Sequence, residues 1–365
     1  MDMLAMMTEN ANLSTEKDKI LAEKQQIVAD FDTLYKKSSA YKKDKSSQTY
    51  FTRGFSSENV MTDEKQFKYY TGYQPSQFED VFKFLVPNEE EVPIKYPTNR
   101  VSEVTRLVLK DQLFLTIMKL RHNFHHDDLA YRFGVSKQTV SVIFSHWANY
   151  MFLRFGEISF WPLRDVIAQH MPTKYAEEFP TTFAMLDCTE IRITKPSSLK
   201  AQSQTYSDYK SGNTLKGLVA CDPRGSVIFV SMLFSGAMSD KEIFIQSGFQ
   251  EMLKDLVKEG HLLEGDGLMA DKGFNIEEEV RKCGLVLNIP PFSRQGKQMS
   301  SSDALLTKKI AKHCVHVERA IERIKRFKIL AGRVDLTLFS QINQIWFVCA
   351  FLTNFFPPAI KEENN

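Results

Sequence analysis

Cysteine is scarce in this sequence. Only five of the 365 residues are cysteine, and no two of them lie within 25 residues of each other. A disulfide framework uses an even number of cysteines, and a structural zinc site needs close pairs such as C-x₂-C, so both are excluded. We expect reduced thiols, most of them buried. They are Cys188, Cys221, Cys283, Cys314 and Cys349.

Long apolar runs are also missing. The apolar stretches fall short of about 18 residues and are interrupted by charges, which argues against a transmembrane span. Met1–Asn12 lacks the basic and apolar regions of a secretory signal. Hydrophobic residues make up 43% of the chain and charged residues 25%, which excludes long disorder and collagen-like structure. We expect a soluble, intracellular protein of about two to three domains.

The net charge of +2 conceals two regions of opposite sign. Ser293–Arg333 contains eleven bases and three acids, whereas Gly236–Pro290 contains six bases and eleven acids. A protein that binds a polyanion and also holds divalent cations needs both kinds of surface. Charged runs are also common on ordinary solvated surfaces, so this pattern alone does not decide the function.

Residues 1–60 predict a helix followed by a linker. In Leu13–Lys37, apolar residues recur at seven-residue spacing. The positions four residues after them, which would complete the contact face of a coiled coil, are mostly polar. The apolar row is Leu13, Ile20, Ile27 and Leu34. Such a helix either pairs in a dimer or is solvated and frayed. Ser38–Ser57 has neither a helical nor a strand period and predicts a linker.

Residues 61–160 predict a helical domain that contains a sharp turn. Ser102 is the expected N-cap of a helix whose apolar stripe begins with Val104, Leu107 and Val108. Farther on, the helical period breaks at Gly134 and resumes behind Ser136, with Ala130 where two helices touch. Val135, Val140 and Ile143 point inward, and the outward residues are Ser136, Lys137, Gln138 and Ser141. This pattern predicts a helix-turn-helix, and the alternative is an ordinary pair of antiparallel helices.

Residues 161–365 predict an α/β domain. The expected strands are 183–193, 215–221, 227–234, 267–270 and 285–289. The sequence Asp222-Pro-Arg-Gly225 is typical of a hairpin turn between the second and third of them. The expected helices are 239–258, 302–330 and 340–356. Antiparallel strands followed by alternating helices and strands indicate a layered fold with a mixed sheet.

Two aspartates of this domain are unusual for their positions. Asp187 interrupts an apolar strand, where an unpaired carboxylate is costly and must be hydrogen-bonded, ion-paired or bound to metal. Asp271 ends the strand 267–270 and precedes Gly273, which lets the strand end open onto a cleft. Each has an alternative interpretation, since one buried Asp is often structural and an Asp at a strand end is a common turn residue.

Glu318 is the third unusual acid. It lies on the shoulder of the buried stripe of the long helix, from which it can reach the sheet. A surface ion pair within the helix needs a base three or four residues away, and none is present at these positions. Carboxylate oxygens suit Mg²⁺ or Mn²⁺, and a few of them can hold two ions roughly 4 Å apart.

Three segments, in order, resemble the DDE-superfamily transposases of the PIF/Harbinger type. They are Leu186-Asp187-Cys188, Ala270-Asp271-Lys-Gly-Phe274 and Val317-Glu318-Arg319-Ala-Ile-Glu-Arg323-Ile-Lys325. Further matches are Val219-Ala-Cys-Asp222-Pro-Arg-Gly225 and Gly236-Ala-Met-Ser-Asp240, and the upstream helix-turn-helix is similar as well. The resemblance spans about residues 65–357.

The resemblance implies an RNase H-like core that cleaves and transfers DNA strands. It also implies that the core uses two divalent ions, Mg²⁺ or Mn²⁺. It assigns catalysis and metal binding to Asp187, Asp271 and Glu318. Some relatives carry an N-terminal zinc-binding THAP module, which the cysteine spacing excludes here. Recognition of terminal repeats would then rest on the helix-turn-helix, the basic helix or a partner protein. The expected DNA-contacting residues are Ser136, Lys137, Gln138, Arg319, Arg323 and Lys325.

The sequence therefore predicts a metal-dependent DNA transposase or endonuclease. Its expected partners are double-stranded DNA, as transposon ends and target, a second copy of the chain and an accessory DNA-binding protein. No membrane partner is expected, and the expected location is the nucleus. The main alternative is a domesticated DNA-binding protein that has lost catalysis. An RNA-directed hydrolase on the same core is a third interpretation, disfavoured because nothing resembles an RNA-binding module.

Overall fold

The structure, a computed structural model, describes residues 55–87, 107–291 and 300–357. The predicted N-terminal helix, most of the predicted linker and the predicted cap Ser102 lie outside these residues. Contacts divide the chain into two compact units, of which the second begins at Ile158 and also takes in residues 120–123.

The first unit is helical. Its helices are α1 (Ser57–Met61), α2 (Glu64–Thr71), α3 (Pro75–Leu85), α4 (Leu109–His122), α5 (His126–Phe133) and α6 (Lys137–Gly156). Two predicted boundaries were wrong. The linker was expected to extend to Ser57, but Ser57 is the first residue of α1, because the Ser56 hydroxyl accepts a hydrogen bond from Asn59 N and caps the helix. The apolar stripe was expected to include Val108, which precedes α4.

The core of the first unit is aromatic. The fully buried ring of Phe114 stacks on Phe67 at 5.4 Å and on Phe55 at 5.7 Å between ring centroids. The side chain of Gln112 joins α4 to α6, because its Oε1 accepts a hydrogen bond of 3.1 Å from Trp147 Nε1. Phe55 therefore belongs to this core, and not to a linker.

The second unit combines a sheet with helices. Its elements are α7 (Arg164–Gln169), α8 (Thr173–Glu178), β1 (Thr182–Arg192), α9 (Leu199–Thr205), β2 (Tyr206–Ser207), β3 (Gly212–Cys221), β4 (Val227–Val230), β5 (Phe234–Ser235), α10 (Asp240–Gln246), α11 (Phe249–Lys258), β6 (Gly267–Ala270), α12 (Glu277–Arg281), β7 (Val286–Asn288), α13 (Ser301–Lys325), α14 (Lys328–Ala331) and α15 (Ile342–Leu352). Single 3₁₀ turns, Leu336–Gln341 and Thr353–Phe355, flank α15.

The sheet is mixed. Its described strands follow the order β2-β3-β1-β6-β7, and β4 and β5 also pair with β3. Strand β1 is antiparallel to β3 and parallel to β6, and β6 is parallel to β7. The predicted fold class, an α/β domain with a mixed sheet preceded in sequence by an all-α domain, is confirmed. The predicted turn at Asp222 is also confirmed, because Asp222 O accepts from Gly225 N at 2.9 Å.

Helices cover both faces of the sheet. One face packs against α10, α11 and α12, with Leu186, Leu218 and Phe249 in a common buried cluster. Side chains alternate along a strand, so Asp187 and Gly217 face the other side. Helix α13 packs against β1, β3 and β6 there, and Trp346 of α15 lies over Gly217.

Several predicted elements are divided in the structure. The helix expected over 239–258 breaks at Gly248, whose positive φ of 77° is a conformation that suits glycine. The helix expected over 302–330 ends at Lys325, after which Phe327 takes an extended conformation with its ring fully buried. The strand expected over 227–234 is split, because Ser231 turns its hydroxyl back to accept from Leu218 N.

The C-terminal segment Leu336–Phe355 is long and apolar enough, by composition, to cross a membrane. It contains no charged residue, so the expectation that every long apolar stretch is interrupted by a charge was wrong. In the structure half of this segment is buried inside the protein. Trp346, with 1% of its surface exposed, donates a hydrogen bond of 2.9 Å from Nε1 to Ser231 O. The segment thus serves as a core helix of the second unit.

We expect Trp346→Ala to destabilise the second unit by about 3–5 kcal/mol, because it leaves a large cavity over Gly217 and removes the hydrogen bond to Ser231. Phe339→Ala, at a 39% exposed ring of the same segment, is the control and should cost about 1 kcal/mol or less. Urea denaturation measures both. Equal, small effects would contradict the buried position of α15.

Candidate functional site

The predicted turn between α5 and α6 is present. Helix α5 ends at Gly134, whose φ of 64° is left-handed, and Val135 N donates to Ala130 O at 3.0 Å. The Ser136 hydroxyl then accepts from Thr139 N at 3.1 Å and caps α6. Val140 and Ile143 are fully buried, as predicted.

The outward residues at the start of α6 are exposed, but two of them already have partners. The hydroxyl of Ser136 is committed to its capping bond. Lys137 Nζ lies 2.8 Å from Asp127 Oδ2, and both side chains are about two-thirds exposed. Such a solvated ion pair contributes little and can exchange for another anion. Ser136, Lys137 and Gln138 therefore share one accessible surface at the beginning of α6.

Asp187 and Asp271 lie on neighbouring parallel strands. Leu186 of β1 is aligned with Ala270, the last residue of β6. The residue that follows each of these two is an aspartate, so Asp187 and Asp271 lie side by side where β6 ends and β1 continues. Asp271 is exposed and Asp187 is half-buried. Asp271 Oδ1 accepts a hydrogen bond of 2.7 Å from Lys272 N.

Glu318 belongs to the helix that packs over these strands. Helix α13 contacts β1, β3 and β6, and Glu318 is exposed one turn beyond the buried Cys314. Burial raises the pKa of the Cys314 thiol to about 12, and the charges of Asp271, Asp187 and Glu318 add to this rise. One buried thiol thus lies within electrostatic range of all three predicted acids.

The same acids act on one another. Burial raises the pKa of Asp187 to about 7, and the charge of Asp240 adds to the rise. The carboxylates of Glu318 and Asp271 act in the same direction. The structure therefore brings the three predicted acids into one region of the domain.

Asp240 is a fourth acid in this region, for which the sequence suggested no role. It begins α10, and its Oδ1 lies 2.5 Å from Lys216 Nζ on β3. Burial acts to lower the pKa of Lys216, but the hydrogen bond and charge of Asp240 outweigh it and raise the pKa. Lys216 could have been noticed, because it is a single lysine between apolar residues of a strand.

A glycine fixes the approach of Asp240 to the sheet. Gly236 N donates to Thr214 O at 3.1 Å, so the segment after β5 lies directly on β3. A Cβ at Gly236 would lie 2.8 Å from Thr214 O, closer than real Cβ atoms come, and 3.0 Å from Thr205 O, which is tighter than most real Cβ contacts. Only glycine permits this contact, which leads the chain to Asp240 beside Lys216.

The bases of α13 do not form one surface. Lys325 lies seven residues after Glu318, hence on the same side of the helix. Its pKa is lowered by burial and by Lys210, while the charge of Asp187 opposes the shift. Lys325 is therefore within electrostatic range of the acids. Arg323 Nη2 instead donates to Pro357 O at 2.5 Å, and Arg319 is exposed.

The opposite charges of α13 and the acidic stretch 236–290 suggest an alternative for these bases, which is ion pairing within the domain. Among the described residues, Arg319, Arg323 and Lys325 make no ion pair with that stretch. Its acids pair with other bases, as Glu279 does with Lys241 at 2.9 Å and Asp266 with Arg164 at 3.0 Å. The structure thus gives no support to pairing of these three bases with the acidic stretch.

Carboxylates are the donor set that Mg²⁺ and Mn²⁺ prefer. Burial and, to a smaller extent, the neighbouring carboxylates raise the pKa of Asp187, and a bound cation would oppose both effects. Within the part of the chain that the structure describes, however, no three His, Cys, Asp or Glu side chains converge closely enough to hold an ion. The chemistry of the acids fits a hard divalent cation, and binding one requires their side chains to turn toward each other.

Comparison with protein families agrees with this geometry. Residues 186–354 match the family model of the DDE superfamily endonuclease, and residues 105–157 match the helix-turn-helix of DDE superfamily endonuclease. The chain carries a DDE endonuclease domain with an upstream helix-turn-helix domain. No curated protein matches the chain significantly. The endonuclease match begins at Leu186 and contains Asp187, Asp271 and Glu318.

These domains imply DNA binding and suggest nuclease or transposase activity. Endonucleases of this superfamily generally use divalent metals. The ordinary antiparallel-helix alternative for residues 105–157 is thereby set aside. The predicted thiols are also as expected, because all five cysteines are free and four of them are buried.

We expect Asp187→Asn to raise the melting temperature of the metal-free protein by roughly 2–8 °C near pH 8. Between about pH 4 and 7 the unfolded chain loses the Asp187 proton while the folded chain keeps it, so the parent becomes less stable as the pH rises. The amide avoids this loss, and the difference should vanish near pH 4.

Thermal denaturation in a chelating buffer at both pH values tests this expectation. Asp255→Asn, at an exposed aspartate of α11, is the control and should leave the melting temperature unchanged at both. If Asp187→Asn behaves like this control, Asp187 does not lie among crowded acids.

Proposed function

We propose that this protein is a DNA transposase of the PIF/Harbinger type that cuts and joins phosphodiesters. Asp187, Asp271 and Glu318 would form its catalytic triad. The observation that supports this most is the alignment of Leu186 with Ala270, since it leaves two aspartates side by side beneath a helix that carries a glutamate. The endonuclease and helix-turn-helix matches support DNA as the substrate.

Two divalent ions, Mg²⁺ or Mn²⁺, would activate a water or 3′-hydroxyl and stabilise the leaving oxygen. Asp187, Asp271 and Glu318 would hold these ions. Asp187 must give up its proton to bind a cation. Because its pKa is raised to about 7, cation binding would depend on pH near neutrality. Asp240 would remain with Lys216, which keeps this acid neutralised.

The bases of α13 would bind DNA beside the cut. Lys325 is best positioned to hold the reacting phosphate, because it lies in range of Asp187. Arg319 and Arg323 would contact flanking phosphates from another side of the helix. In the helix-turn-helix, Ser136 and Lys137 would contact phosphates, and Gln138 would read a base edge in the major groove.

The partners and location follow from this activity. Double-stranded DNA, both transposon ends and target, would be the substrate. Two ends that are cut and joined together need at least two active sites, which favours a homo-oligomer. An accessory DNA-binding protein would help to recognise the ends, and the nucleus would be the place of action.

The second candidate is a domesticated DNA-binding protein without catalysis. It is favoured by the observation that, among the described residues, the acids do not form a metal-binding group. Both candidates use the same DNA-binding surfaces, so they differ only in whether divalent metal produces strand cleavage.

We expect Glu318→Gln to reduce metal-dependent nicking by more than about 100-fold, since loss of an outer-shell partner alone costs about 10- to 100-fold. Glu322→Gln is the matched control, because Glu322 lies one turn later and pairs with Arg326 on the exposed side. The assay uses supercoiled plasmid with candidate terminal repeats, with Mg²⁺, Mn²⁺ or a chelator.

Each outcome of this assay is informative. Normal nicking by Glu318→Gln would refute the assignment of the triad. A parent protein that binds the repeats and never nicks them with either metal would support the domesticated alternative. Loss of nicking in both variants would indicate a general effect on α13.

We expect Gln138→Ala to relax the choice between specific and random duplex DNA, with a loss of about 1–3 kcal/mol confined to the specific sequence. Lys137→Ala is the comparison and should weaken binding to both duplexes while flattening the salt dependence by about one unit. Binding titrations at several salt concentrations measure both effects. Equal losses on both duplexes for Gln138→Ala would make Gln138 a backbone contact.

A further inference from the structure

A basic pocket lies at the end of β1, away from the acids. Its cavity has a volume of about 500 Å³, and Arg192, Lys195 and Arg333 contribute to its walls. All three bases are exposed, and none of the residues that line this pocket is acidic. Within the described ranges, the three bases make no ion pair, so their positive charge is uncompensated.

The walls of this pocket are held by hydrogen bonds. Val334 N donates to Arg192 O, and Thr194 N donates to Val334 O, both at 2.9 Å, so Arg333 is fixed beside the end of β1. On the other side, Asn213 Nδ2 donates to Gln202 O at 2.8 Å and ties α9 to β3. A pocket whose walls are fixed in this way loses little entropy when it binds a ligand.

The lining also offers surfaces for a base. Tyr206 is 45% exposed, and Leu199, at 81% exposed, is an unusually open apolar side chain. Gln202 and Ser203 add hydrogen-bonding groups beside them. The cationic side chains suit the phosphate of a nucleotide, and the neighbouring aromatic ring suits its base. The volume of the cavity is in the range of small-ligand sites.

The pocket is connected to the acids by further bases. Arg192 follows Asp187 by five residues of strand, or roughly 17 Å. Lys210 lies near both Arg192 and Lys325, since its carbonyl accepts from Arg192 Nη2 at 3.4 Å and its charge acts on Lys325, which is itself within electrostatic range of Asp187. In duplex DNA roughly 17 Å corresponds to about five nucleotides of one strand.

We propose that this pocket binds a nucleotide of the DNA strand that extends from the cleavage site, with its phosphate among Arg192, Lys195 and Arg333 and its base against Tyr206. This rests on the proposed function for the source of the strand. It assigns DNA binding to a surface that includes none of the residues expected from the sequence.

The test measures binding of a labelled single-stranded oligonucleotide by the full chain carrying Asp187→Asn, which separates binding from cleavage. The double variant Lys195→Gln, Arg333→Gln should flatten the slope of log K against log salt by about 1.4 units, at about 0.7 per lost phosphate contact. Lys200→Gln, on α9 outside the pocket, is the matched control and should leave the slope unchanged, because it removes no proposed phosphate contact.

A second pair of variants tests the base. Tyr206→Ala should weaken binding about 5- to 150-fold, as loss of one stacked base does, whereas Tyr206→Phe should keep the affinity. Tyr209→Ala, at an 80% exposed ring outside the pocket, is the control. Circular dichroism establishes that each variant is folded.

An unchanged salt slope in the double variant, or equal effects of Tyr206→Ala and Tyr209→Ala, would overturn the proposal. Displacement of the oligonucleotide by an equal concentration of a free nucleoside monophosphate would overturn it as well, because the pocket would then serve a small molecule. These outcomes do not depend on nicking. If the parent binds as expected and never nicks, the pocket stands and the proposed function fails.

Discussion

The pairing of β1 with β6 is the constraint on which the candidate site depends. Because the two strands are parallel and Leu186 is aligned with Ala270, the residues that follow must lie side by side. Both are aspartates, so the backbone itself holds two like charges together. Burial raises the pKa of Asp187 to about 7, and the charges of Asp240, Glu318 and Asp271 add to this rise.

The domain balances this charge in two ways. Asp240 has a permanent counterion in Lys216, whereas Asp187 and Asp271 have none at ion-pair distance among the described residues. Lys325 provides a more distant positive charge above them. A region in which one acid has a counterion and others have none is suited to bind a mobile cation. Partly buried acids without a counterion destabilise a protein that uses them only for structure.

Much of this arrangement was predictable from the sequence. The turn at Gly134, the cap at Ser136 and the succession of strands along the chain follow from local patterns, and the three acids were identified because each is unusual for its position. Asp240 and Lys216 were not, because their pairing joins α10 to β3 through tertiary packing. The break at Phe327 was missed for the same reason, because burial of its ring overrides the helical period. The break at Gly248 had a local signal, a glycine inside the expected helix.

The contact of Gly236 with Thr214 has a consequence for the evolution of this domain. A side chain at position 236 would collide with the backbone oxygen of Thr214, which cannot move without opening β3, and would crowd the backbone oxygen of Thr205 at the end of α9. Relatives that keep the same strand pairing should therefore tolerate only glycine at this position, while Ala237, exposed at the surface, is free to diverge. Glycine followed four residues later by an acid is thus a signature by which distant homologues can be recognised.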